Sequence, residues 1–151
     1  MPRILLVGYV PETVDFSDPA LPPGMTAEKI HAGIAIAMKQ FADRGWEADL
    51  GYIRPDGTAG PTVERLLAPE RYDCVVVGAG VRLPPKRLAD FEAVINAVHK
   101  AAPGAAIAFN TRPDDSAFSG SGGAGPSITA NPSAASESAA DDSSLHPSMR
   151  R

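Results

Sequence analysis

The chain is predicted to fold as a three-layer α/β sandwich, a four-stranded parallel sheet in the order 2-1-3-4 with helices on both faces. Two observations carry this. The runs Ile4-Leu5-Leu6-Val7 and Cys74-Val75-Val76-Val77 are continuously apolar instead of alternating, which is the pattern of strands buried on both faces. Around them, strand-like and helix-like segments alternate, and a strand, helix, strand order demands right-handed crossovers and parallel pairing.

Arg3 to Tyr9 is the first, central strand. Val10 to Met25 holds Pro11, Pro19, Pro22, Pro23 and Gly24, so it continues neither strand nor helix and forms a long loop. Thr26 is placed as an N-cap with Glu28 near the positive end of the helix. Ile30, Ile34, Met38 and Phe41 then follow at helical spacing, predicting a helix over 27–44. Gly45 supplies a left-handed cap and Trp46 folds back over the last turn.

Glu47 to Ile53 reads as an edge strand with Ala48, Leu50 and Tyr52 on one face and Asp49 and Gly51 on the other. Pro61 suits a first helical position, and Val63, Leu66 and Leu67 give a short amphipathic helix before Pro69. Tyr72 to Gly78 is the second buried strand, ended by a Gly78-Ala79-Gly80 turn. Pro84 and Pro85 precede a helix carrying Leu88, Phe91, Val94, Ile95 and Val98, which Pro103-Gly104 stops. Ala105 to Asn110 is the fourth strand. With the two most apolar strands adjacent at the centre, the order is that of flavodoxin-like, Rossmann-like folds.

The domain is expected to cover residues 1–118. Residues 119–151 are dominated by Ser, Ala, Gly and Pro, with Ile128, Leu145 and Met149 as the larger aliphatics, so they are expected to form a disordered tail. Composition bounds the function classes. A formal net charge of -4 without a clustered basic face speaks against a nucleic-acid partner, and no apolar run approaches the roughly 20 residues of a membrane span. Cys74 is the single cysteine, so no internal disulfide is possible. With no secretory leader pattern in view, a cytoplasmic location is expected.

In a parallel sheet, ligands bind beyond the carboxyl ends of the strands where the winding reverses, here between the first and third strands. Ligand-binding candidates are therefore Tyr9, Gly78, Ala79, Gly80, Arg82, Asn110, Thr111 and Asp114. The glycines allow close backbone approach, and Arg82 offers a forked contact to a carboxylate or phosphate. A dinucleotide fingerprint would need a third small residue where Leu83 stands. Asp15 and Asp18 are the candidate catalytic carboxylates in the long first loop, although Asp and Ser are also common turn formers.

His31 and His99 lack metal-ligand spacing, and no metal or other cofactor is implied. Cys74 reads as a core side chain. The reading is of a domain that binds a small anionic metabolite, with a small hydrolase or isomerase using the loop carboxylates as the alternative. A homodimer is also expected, because Phe109 and its neighbours would be left partly uncovered.

Three segments carry a resemblance. Asp15-Phe16-Ser17-Asp18-Pro19-Ala20-Leu21-Pro22-Pro23-Gly24, then Tyr72 to Gly80 continuing into Val81-Arg82-Leu83-Pro84-Pro85, and Asn110-Thr111-Arg112-Pro113-Asp114-Asp115 resemble a family of small uncharacterised α/β proteins. The resemblance covers about residues 3–116 and implies a compact α/β unit without an assigned chemistry. It also implies a last helix after Asp115, where this chain runs into its Ser- and Gly-rich segment.

Overall fold

A computed structural model describes residues 1–110; the expectations for 111–118 and for the tail lie outside the described residues. The strands are β1 (Arg3–Tyr9), β2 (Glu47–Ile53), β3 (Cys74–Val77) and β4 (Ala106–Phe109), all parallel, in the order β2-β1-β3-β4. The helices are α1 (Ala27–Asp43), α2 (Ala59–Leu67), the four-residue α3 (Ala79–Arg82) and α4 (Leu88–Ala101).

The continuous apolarity of the central strands now has its reason. Leu5, Val7, Val75 and Val77 point to the side of α2 and α4, while Ile4, Leu6 and Val76 point to the side of α1. Each such side chain, fully buried, contributes about 1.5–3 kcal/mol of transfer free energy. The two faces of β2 follow the expected alternation. Ala48 and Leu50 pack on the α1 side, and Gly51 faces the other, where a Cβ would meet side-chain carbons of Leu5 and Leu66 at 3.2 Å.

Local signals place α1 closely. The Thr26 side chain accepts from the Lys29 amide at 3.2 Å, Gly45 has φ of +74°, and the Trp46 ring sits 6.2 Å from that of Phe41. Several boundaries differ from the sequence reading, β3 and β4 being shorter than the expected 72–78 and 105–110. The helix ends at Asp43, and α2 starts at Ala59, so Pro61 is its third residue. Pro11–Thr13 forms a 3-10 turn inside the long loop. The Gly78-Ala79-Gly80 segment is not a plain turn but opens α3, with Gly78 as its N-cap residue. One turn of helix has no room for a periodic apolar stripe, so its sequence carries no helical signal.

The two edges of the sheet differ in chemistry. At the amino edge, the Arg3 guanidinium donates to Glu70 at 2.6 Å and Asp49 at 3.2 Å, and the Tyr72 hydroxyl donates to Asp49 at 2.8 Å. Burial, then the bond to Asp49, pushes the Tyr72 hydroxyl up to about 12. The carboxyl edge holds a cavity lined mainly by apolar side chains.

Candidate functional site

β3 ends at Val77, opposite Val7 of β1, which runs on to Tyr9, and a cavity of about 190 Å³ opens beyond them. Its floor is the end of β1 (Leu6, Val7, Gly8 and Tyr9) with Gly78, Ala79, Gly80 and Val81 alongside. Ile30 and Ile34 of α1 form one wall, and Leu50 and Tyr52 of β2 extend it. The roof is the long loop, which turns Val14, Ala20, Leu21, Pro22 and Met25 inward.

Helical spacing explains the wall. The stripe Ile30, Ile34, Met38, Phe41 buries fully only at Phe41, against the sheet. Towards the amino end of α1, Ile30 and Ile34 are only half-buried because they border empty space. Aliphatic side chains that face a void forgo part of the transfer and dispersion energy that their neighbours gain, which a ligand of matching polarity restores.

Gly78 and Gly80 serve different ends. A Cβ at Gly78 would meet the Val7 carbonyl oxygen at 3.1 Å, so this glycine lets the start of α3 lie against β1. A Cβ at Gly80 would meet nothing within 4 Å and would project into open space. The Ala79 amide is taken by the Asn110 side-chain oxygen at 2.7 Å, which ties the end of β4 to the first turn of α3.

A second chamber of about 60 Å³ shares Tyr9, Val14, Leu21, Ile30, Gly80 and Pro84 with the first. Its other walls are polar and include Thr13, Asp15, Asp18, Lys86 and Arg87. Lys86 Nζ donates to Asp15 at 2.5 Å and lies 3.5 Å from Asp18. The ammonium of Lys86, then the hydroxyl and amide of Ser17, hold the Asp15 carboxyl well below the usual carboxylate range. Asp18 accepts from the Ala20 amide at 2.9 Å, and its side chain is 10% exposed. The Arg87 guanidinium stands 5.7 Å from the centre of the Tyr9 ring. Burial, then donation to Asp90, pushes the Tyr9 hydroxyl up, so that it stays protonated.

The structure thus brings together Tyr9, Gly78, Ala79, Gly80 and Asn110 at the main cavity and Asp15 and Asp18 at the smaller one. Arg82 lines neither chamber. Its guanidinium donates to the Asn110 carbonyl at 3.1 Å and lies 5.6 Å from the centre of the Phe109 ring, which is itself 40% exposed. Thr111 and Asp114 lie outside the described residues. Lys86 and Arg87 went unselected in the sequence because they follow a Pro-Pro pair in a segment read only as a helix start. Nothing local signals that the loop folds back to meet them. The inward-facing Val14, Leu21 and Met25 were hidden in the same way, isolated apolar residues in a segment without period.

No family model matches the chain and no curated protein matches it. Among the described residues, no helix is long and apolar enough to cross a membrane.

Proposed function

We propose that the chain binds a small molecule with an apolar body in the cavity beyond the carboxyl ends of β1 and β3. The observation that carries this reading is the cavity itself, about 190 Å³ with a predominantly aliphatic lining, at the position where parallel sheets bind ligands. An apolar void of about 150 Å³ is enough to take up benzene, so a one-ring or short-chain body fits.

The sequence pointed to an anionic ligand held by Arg82. With Arg82 turned to Asn110 and Phe109, the apolar contacts take the main role and any charged group of the ligand falls to the smaller chamber. Acid-base chemistry at Asp15 is disfavoured by the state of its carboxyl. A carboxylate held low by Lys86 is a poor proton carrier near neutral pH, where a useful acid or base has a pKa near the working pH.

Benzene and 1-hexanol serve as probes in a melting experiment on the wild type and on Gly80→Leu, whose added side chain starts from open space at the cavity wall. Both probes should raise the wild-type melting temperature, as any ligand specific to the folded state does, and neither should raise that of Gly80→Leu. No rise with the wild type, or an equal rise with the variant, would overturn the reading.

A further inference from the structure

The two chambers share walls but differ in chemistry, and the polar one carries both signs of charge. In it, Lys86 is committed closely to Asp15, at 2.5 Å, and only loosely to Asp18, at 3.5 Å. Asp18 is nine-tenths buried. Its Oδ1 accepts from the Ala20 amide, and its Oδ2 has only the distant Lys86 among the described residues. An ionised carboxyl can accept about four hydrogen bonds, so this oxygen has capacity left for a donor. Arg87 lines the same chamber and is held over the Tyr9 ring, with no carboxylate partner among the described residues. A guanidinium so placed has a fork free to receive a carboxylate.

From this juxtaposition we infer that the site takes an α-amino acid with an apolar side chain. The ammonium group is received by Asp18, the carboxylate by Arg87, and the side chain occupies the aliphatic cavity. This rests on the proposed small-molecule binding and adds the class of ligand. An anion alone would leave Asp18 with only the distant Lys86, and a cation alone would leave Arg87 without a carboxylate. A zwitterion offers a partner to both Asp18 and Arg87.

The inference is tested by calorimetric titration of the full chain with L-norleucine, L-phenylalanine, 1-aminohexane, hexanoate and 1-hexanol. The amino acids should bind at least about tenfold more tightly than the amine, the acid or the alcohol, the loss expected when one charge-assisted hydrogen bond is missing. Asp18→Asn, which keeps the oxygen that caps Ala20, and Arg87→Met, which keeps an apolar stem, should each weaken the amino acids by a similar factor and leave hexanol unchanged. Amine or acid binding as tightly as the amino acids would overturn the inference, as would unaltered amino-acid affinity in both variants. In those cases retained hexanol binding leaves the cavity reading intact, whereas loss of hexanol binding to the wild type removes that reading itself.

Discussion

The Ala79 amide donates to the side-chain oxygen of Asn110 at 2.7 Å, joining the first turn of α3 to the residue that follows β4. Asn110 is 3% exposed, so this is a buried polar contact that fixes one corner of the cavity floor. Asn110→Ala leaves the Ala79 amide without this acceptor and should cost about 1–3 kcal/mol, the desolvation penalty of an unmade buried hydrogen bond. Urea unfolding measures it. A loss within error of zero would mean that the corner is held by other contacts.

The two glycines that flank Ala79 should respond in opposite directions. Gly78→Ala forces a Cβ to within 3.1 Å of the Val7 carbonyl oxygen, backbone that cannot swing aside, and should destabilise the fold. Gly80→Ala adds a Cβ to open space within a helical turn and should be neutral or stabilising by up to about 1 kcal/mol. Chemical denaturation of the pair gives the sign of each, and matching signs would contradict the geometry.

The roof of the cavity is fastened by exposed polar contacts, the ion pair of Lys86 with Asp15 on one side and the hydrogen bond between His31 and Glu12 at 2.6 Å on the other. An exposed ion pair such as Lys86–Asp15 is weak and screened by salt, so ligand entry should quicken as ionic strength rises. Asp15 supplies the pH dependence. Its carboxyl has a depressed value in the folded state, so its contribution is present above the unfolded value near 4 and is lost as pH falls below that towards the folded value. Hydrogen exchange of residues 14–25 should therefore be faster in Asp15→Asn than in the wild type at neutral pH. The difference should shrink in acid. A difference that grows on acidification would contradict the assignment of Asp15 to the roof.

Cys74 offers an independent check on the packing of β3. Burial, then the charge of Asp73, pushes its thiol up to about 11, so the thiol stays protonated at pH 8. A thiol reagent should react slowly with the folded chain and rapidly in denaturant, since the thiolate is the nucleophile. Fast reaction of the folded chain would show that the strand is open to solvent.

The architecture was legible because its signals are local. Unbroken apolar runs marked β1 and β3, the Thr26 cap and Gly45 bounded α1, and handedness left few orders for the strands. The position of the cavity followed from the topology. Its chemistry did not, because side-chain direction depends on contacts distant in the chain. Arg82 left the crevice for the Asn110 carbonyl, 28 residues on, and Lys86 entered it to meet Asp15, 71 residues earlier. The roof depends on a loop whose Val14, Leu21 and Met25 acquire an inside only once β1, β3 and α1 are assembled.

The central claim, an apolar ligand site beyond β1 and β3, is tested most directly by amide chemical-shift mapping of the isotopically labelled chain titrated with 1-hexanol. Shifts should saturate and concentrate on Gly8, Leu21, Ile34, Gly78 and Gly80, which belong to the floor, wall and roof of one cavity. Shifts that fail to saturate, or that gather at the Arg3 and Tyr72 edge of the sheet instead, would contradict it.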